Sequence, residues 1–284
     1  MSMESEVSAE SVAAAAQARV AAGLNHASEL QHAGKLSQAA TELETALVLA
    51  RATPYEIEFQ TRIRLGLMLS DIYLSLDGIQ DARALLAEEA TFAERISQIM
   101  QATGTLHQKR AATSGYLQVR DRATQVALIG EPAPEISVKD WISGEPVTLG
   151  ELRGKVVLLE FWATWCKPCQ EMFPKLNSLH SEQAARGLEI IALTRHYMAY
   201  RGTPEAMSEE LQLMRSSVVP HAVEFRVGVA EDERLQAVYG ANGLPTAVLI
   251  DRRGIVRYAG PGAEDKTFNQ ALPQCLDGVN WKTN

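Results

Sequence analysis

The residues best suited to chemistry are gathered in one short segment, Cys166-Lys167-Pro168-Cys169. Two thiols three residues apart can close a reversible disulfide or supply half of a metal site. Just before them runs a nearly continuous apolar stretch, residues 155–162, as expected of a strand buried on both faces, and the residues after them read as a helix. A CxxC at such a junction puts the first sulfur at the helix N-terminus, where unpaired N–H groups and the helix dipole stabilise a thiolate. The second sulfur lies one turn deeper, so Cys166 attacks and Cys169 resolves. A zinc site would need a second ligand pair, and the sequence has no second CxxC and no Cys/His cluster; Cys275 falls in a different predicted helix. The spacing points to dithiol redox chemistry, with no metal and no cofactor.

Composition removes several other classes. The chain has 284 residues, 46% of them hydrophobic, enough for about two domains with their own cores. A formal charge of −8 gives no field that favours a nucleic acid backbone or an anionic lipid surface. Three cysteines are too few for a disulfide scaffold, and an odd number leaves at least one unpaired. The first ten residues, MSMESEVSAE, are acidic where a secretory signal is basic, so no signal peptide is visible. No run of about 18 apolar residues occurs, which argues against membrane insertion.

The texture changes near residue 130. Of 11 prolines only Pro54 precedes Pro132, and all cysteines and tryptophans follow it. Residues 1–127 are rich in helix formers with apolar positions at helical spacing: Ala39, Leu43, Ala46, Leu47 and Ala50, then Phe59, Ile63, Leu67 and Leu74, then Ala82, Leu86, Ala90 and Ala93. Gly34 and Gly78 mark tight turns, with glycine supplying the left-handed conformation that ends a helix, which gives two helical hairpins. A glycine turn followed by Ala39, Leu43 and Ala46 resembles the second helix of a tetratricopeptide repeat. The turns are 44 residues apart against that family's 34, and the large aromatic positions are missing. This half reads either as a groove for a protein partner or as a bundle that only enlarges the chain.

Residues 128–284 read as a second domain. Residues 135–139 and 146–149, around Ser143-Gly144-Glu145, form a predicted N-terminal β-hairpin. Strands follow at 155–162, 188–194, 246–251 and 255–258, with helices at 167–185, 204–217 and 263–275. Strands alternating with helices and closing in a hairpin make an α/β sandwich.

The run from Val156 to Cys169 (VVLLEFWATWCKPC) resembles the active-site strand of the thioredoxin superfamily, in particular TlpA/ResA-like thiol-disulfide oxidoreductases. Gly243-Leu244-Pro245-Thr246 resembles their cis-proline loop, followed by the turn Asp251-Arg252-Arg253-Gly254. The resemblance covers residues 130–284 and implies a thioredoxin-like fold: a central mixed sheet flanked by helices. It implies Cys166 as nucleophile, Cys169 as resolving thiol and Trp165 as a shield over the sulfurs. Pro245 in the cis form would sit against the disulfide, with the Leu244 backbone pairing to an extended substrate strand. Glu160, six positions before Cys166, matches the buried acid of thioredoxins, usually Asp, and would accept the proton of Cys169 directly or through water. Lys167 and Pro168 tune the site: the lysine favours the thiolate, and proline fits the first helical turn. Potentials of such proteins run from about −270 to −120 mV, so the direction of electron flow is open. The partners implied are protein thiols or disulfides and a protein electron donor or acceptor. The same resemblance points to a periplasmic, extracytoplasmic location, while the absence of a visible signal peptide leaves the cytoplasm open.

Other residues are secondary. Arg195-His196-Tyr197 follows a strand end, where α/β proteins bind ligands, although a solvated loop is the commoner outcome. His221 has no evident sequence partner, and Cys275 reads as a small buried hydrophobe. A thiol peroxidase is the rival enzyme, but its Pro-x-x-x-Thr-x-x-Cys pattern meets Leu159 and Ala163 here. A non-catalytic scaffold using the helical half is the third reading.

Overall fold

The computed structural model describes residues 3–54, 56–198 and 203–278 and forms two compact units, Met1–Val126 and Ala127–Asn284. The first unit is helical: α1 (Met3–His32), α2 (Leu36–Ala52), α3 (Phe59–Ser75), α4 (Ile79–Thr103) and α5 (Leu106–Leu128), the last ending two residues past Val126. The expected apolar stripes face inward. Ala39, Leu43, Ala46, Leu47 and Ala50 of α2 are buried against Val20 and Leu24 of α1 and Leu65, Leu69 and Ile72 of α3. Ile63, Ala82, Leu86 and Ala93 form a second core with Val119 and Val126 of α5. Gly34 has the expected left-handed backbone, φ 73°. The second turn differs: Asp77 is the left-handed residue, at φ 60°, and Gly78 has φ −86°. Aspartate tolerates this region because its short polar side chain supports tight turns.

A buried ionic group in this unit centres on Glu89 of α4. The Glu89 carboxylate, fully buried, accepts hydrogen bonds from Arg62 at 2.8 and 3.2 Å and from Arg51 at 2.9 and 3.0 Å. The Arg62 guanidinium also lies 3.4 Å from the centre of the Phe92 ring.

The second unit is built on a six-stranded sheet in the order β1-β4-β3-β2-β5-β6. The strands are β1 (Val138–Ser143), β2 (Val156–Phe161), β3 (Leu188–Thr194), β4 (Arg226–Ala230), β5 (Thr246–Ile250) and β6 (Val256–Gly260). The helices are α6 (Lys167–Gln183), α7 (Pro204–Val218), α8 (Arg234–Tyr239) and α9 (Lys266–Asp277). β2, β3 and β4 are parallel, and β1, β5 and β6 run antiparallel to their neighbours. β2 is central and buried along its whole length, as its apolar run requires.

Side-chain alternation divides β2 between two cores. Val156, Leu158 and Trp162 face the core beneath α6, α7 and α9, while Val157, Leu159 and Phe161 face the core beneath α8. The crossovers through α6 and α7 both lie on the first face, which is what right-handed connections stepping in one direction across a sheet produce.

The predicted N-terminal β-hairpin is corrected. β1 begins at Val138 and pairs antiparallel with β4, at the sheet edge, and residues 146–149 form no strand. The Glu135 carboxylate accepts the N–H groups of Ile136, Leu149 and Gly150 at 2.8–3.1 Å, so side-chain bonds hold this segment where ladder bonds were expected. β4 itself was not read from the sequence. Its Gly228 interrupts the β-rich run, and a side chain there would stand 2.9 Å from Val138 Cγ1, so β1 can approach only because Gly228 has none.

Candidate functional site

The site lies where β2 ends and α6 begins. The Trp162 N–H still donates to the Leu193 carbonyl at 2.9 Å, after which the chain leaves the sheet, and the Cys166 N–H donates to Ala163 O at 3.0 Å. Cys166 is the N-cap of α6 with extended backbone, and its carbonyl accepts the Gln170 N–H at 3.2 Å. Pro168 stands in the first turn, where an absent N–H costs no helical bond. The Gln170 side-chain amide donates to Thr164 O at 2.6 Å and pins the loop before the cysteines to the helix after them.

Cys166 and Cys169 form a disulfide with their Cα atoms 5.4 Å apart, within the ordinary range for such a bond. Cys166 is 5% exposed and Cys169 fully buried, so the first sulfur is the one nearer solvent. Both belong to the core formed by Leu158, Trp162, Met172 and Phe173. Trp162 packs edge-on against Phe173 with ring centres 5.2 Å apart, locking the end of β2 to α6. The Lys167 ammonium is exposed and 3.7 Å from the Glu171 carboxylate one turn on, which offsets part of its field at the sulfurs.

Glu160 lies on β2 between Ala192 of β3 and Ala247 of β5. Strand alternation turns it to the face occupied by Leu158, Trp162 and the two cysteines. It is fully buried, and neither carboxyl oxygen has a hydrogen-bond partner among the described residues. Burial pushes its carboxyl well above the usual carboxylate range.

The Leu244–Pro245 bond is cis. Thr246 Oγ1 donates to Gly243 O at 2.6 Å and closes the turn, and Thr246 pairs with Phe161, which brings Pro245 to the level at which β2 gives way to the cysteine loop. Leu244 is half-buried and packs on both cores, and Gly243 is exposed.

Trp165 is 64% exposed, so its indole lies at the surface beside the cysteine pair. Its ring meets Tyr197 edge-on at 5.4 Å, and the Arg195 guanidinium lies 4.3 Å from the centre of the Tyr197 ring. The expectation of a solvated loop at Arg195-His196-Tyr197 is corrected, because Glu210 of α7 fixes these residues from within. Its buried carboxylate meets His196 Nδ1 at 3.1 Å and accepts the backbone N–H groups of Tyr197 and Met198 at 2.8 and 3.1 Å. Gln236 of α8 accepts from Arg195 Nε at 2.6 Å and donates to the Tyr197 hydroxyl at 2.8 Å. Glu210 and Gln236 escaped sequence reasoning because each reads as an ordinary polar helix position; the one available signal was that their target follows a strand end. His221 stacks edge-on against Phe173, ring centres 5.4 Å apart. Cys275 is buried in α9, and burial raises its thiol to about 12, which makes it unreactive near neutrality. Among the described residues no cluster of three or more His, Cys, Asp or Glu side chains is arranged to hold a metal ion.

Residues 129–259 match the AhpC/TSA family. The thiol-disulfide oxidoreductase ResA of Geobacillus thermodenitrificans is 33% identical over 129 residues, 45% of this chain and 67% of that protein. The chain belongs to the ResA-like thiol-disulfide oxidoreductase family. ResA of Bacillus anthracis is 34% identical over 129 residues, 45% of this chain, and the chain spans 66% of that relative's length. A thiol-disulfide isomerase structure from Corynebacterium glutamicum aligns at 25% identity and a TM-score of 0.41, covering 54% of this chain and 97% of that one. Each of these matches covers about half of the chain. Among the described residues no helix is long and apolar enough to cross a membrane.

Proposed function

We propose that the second unit exchanges its Cys166/Cys169 dithiol for disulfides in protein substrates. In the reductive direction the Cys166 thiolate attacks one sulfur of a substrate disulfide. That bond breaks, a Cys166–substrate disulfide forms, and the departing substrate sulfur takes a proton. Glu160 then accepts the proton of Cys169, whose thiolate attacks Cys166 Sγ and expels the second substrate sulfur. Two electrons have moved to the substrate, and the pair is left as the disulfide. The reverse sequence oxidises a substrate dithiol. The observation that carries this reading is a closed Cys166–Cys169 disulfide at the N-terminus of α6, its first sulfur at the edge of solvent access and its second sealed. The turn at Gly243, Leu244, Pro245 and Thr246 receives an extended substrate segment through the Leu244 backbone, and Trp165 flanks the attacked sulfur. The helical unit offers a surface for a protein partner.

The match to AhpC/TSA raises a thiol peroxidase as the second reading. Ala163 and Leu159 occupy the positions of the threonine and proline of the peroxidase pattern, and Leu159 faces the opposite core, so the pattern's hydroxyl is missing beside the nucleophile. The deciding assay offers the reduced chain a disulfide-bonded peptide and hydrogen peroxide in parallel. Rapid turnover of the peptide with slow loss of peroxide supports exchange. The opposite ranking supports the peroxidase.

A further inference from the structure

Arg195 follows Thr194, the last residue of β3. Phe161 stands opposite Leu193 in the parallel β2–β3 ladder, so the chain at Arg195 leaves the sheet beside the loop that carries the cysteines. The half-buried guanidinium is braced by three groups. Its Nε donates to Gln236 Oε1 at 2.6 Å, its Nη1 donates to the His196 carbonyl at 3.4 Å, and its central carbon lies 4.3 Å from the centre of the Tyr197 ring. Gln236 is itself buried and donates to the Tyr197 hydroxyl at 2.8 Å, so one amide fixes both residues. The Tyr197 ring in turn meets Trp165, the neighbour of Cys166, edge-on at 5.4 Å. What this guanidinium lacks is a carboxylate. Arg226 and Arg257, also partly buried, reach Glu189 at 2.6 Å and Asp251 at 2.8 Å. Among the described residues no Asp or Glu pairs with Arg195. The Glu210 carboxylate is taken up by His196 and by the N–H groups of Tyr197 and Met198, and residues 199–204 include no acid.

Charged side chains drawn partly out of water are ordinarily paired, and the arginine fork is shaped for a carboxylate. A guanidinium already held in place also gives up little further freedom when it binds. We infer that Arg195 recognises a carboxylate of the substrate polypeptide beside the attacked sulfur, so that the site prefers disulfides flanked by acidic residues. This rests on the exchange at Cys166 proposed above. Nη2 makes none of the bonds that brace the guanidinium and is the nitrogen left for the carboxylate, while Trp165 and Tyr197 offer ring surface to apolar parts of the same segment. Gln236 is the positioning residue, since its carbonyl oxygen holds Nε. With a net charge of −8 the chain as a whole repels an acidic segment, so the attraction is short-range and local to Arg195.

The test is the rate at which the reduced full-length chain reduces symmetric disulfide dimers of short peptides, capped at both ends, that carry Glu, Gln or Lys on either side of the cysteine. Each rate is divided by that of the same peptide with dithiothreitol, which removes the peptide's own reactivity. The Glu peptide is expected to react about tenfold faster than the Gln peptide and the Lys peptide slowest, with the advantage shrinking as salt is raised. Arg195→Gln is expected to bring the Glu-to-Gln ratio to about one; the ratio is taken within one protein, so a general loss of activity cancels. Arg195→Lys keeps the charge without the fork and is expected to retain the order at a smaller ratio. A fourth peptide, with Gln flanks and a free carboxylate directly after the cysteine, shows whether a chain end serves as well as a side chain. Equal rates for all four peptides, or a Glu advantage that persists in Arg195→Gln, overturns the inference and leaves exchange at Cys166 standing. If the unaltered chain reduces none of the peptides, exchange itself falls, and this inference with it.

Discussion

Glu160 and Cys169 share one face of the central sheet, and both are fully buried. An acid sealed two residues before Trp162 with no hydrogen-bond partner among the described residues lowers stability when ionised, and such groups cluster at functional sites.

That cost has a pH signature. With the folded-state pKa of Glu160 raised above its ordinary 4.5, folded and unfolded chains both hold the proton at lower pH and no penalty applies. As pH rises above that value the unfolded chain releases its proton first. Stability relative to Glu160→Gln therefore falls by about 1.4 kcal/mol per pH unit until the folded-state pKa is reached. Denaturant unfolding of the two oxidised proteins between pH 4 and pH 8 measures this, and parallel curves would remove the raised pKa.

The two cysteines differ in depth, and their variants should differ in kind. Cys169→Ser is expected to accumulate a stable mixed disulfide with a peptide substrate, visible in the intact mass, while Cys166→Ser forms none. Mixed disulfides in both variants at similar rates would mean that either sulfur can attack.

Trp165, Tyr197 and Arg195 form a continuous stack beside the cysteine pair, held from beneath by Glu210 and Gln236. Tyr197→Ala removes the ring against which Trp165 rests, a contact worth about 1 kcal/mol. The expected result is a KM for peptide disulfides raised about fivefold, with kcat and the reaction with a small disulfide little changed. Equal losses with both substrates would place Tyr197 in the structural frame instead.

In the helical unit, Glu89→Ala would leave Arg62 buried without its carboxylate. Breaking such a pair costs about 3–5 kcal/mol, so the helical unit should unfold at distinctly lower denaturant, as read by circular dichroism. A change below about 1 kcal/mol would show that the pair behaves as if exposed.

The readable parts of the sequence were those where one physical requirement dominates. β2 and β3 were legible because a strand buried on both faces must be apolar throughout, and the cysteine pair because its spacing and its place after such a strand admit few chemistries. β4 was hidden because Gly228, which lets β1 approach, reads as a break. The N-terminal hairpin was misread because local spacing cannot reveal that Glu135 holds the segment or that β1 pairs with β4 across the sheet. Arg195-His196-Tyr197 reads as a solvated loop in the sequence because its anchors, Glu210 and Gln236, are 14 and 41 residues from their partners.

The central claim is tested most directly by the redox equilibrium of the Cys166/Cys169 pair against glutathione, followed by intact mass, with Cys166→Ser as control. The account predicts one reversible two-electron transition that Cys166→Ser abolishes, with a midpoint between about −270 and −120 mV. A pair that stays oxidised or reduced throughout that range, or a transition that survives Cys166→Ser, would contradict it.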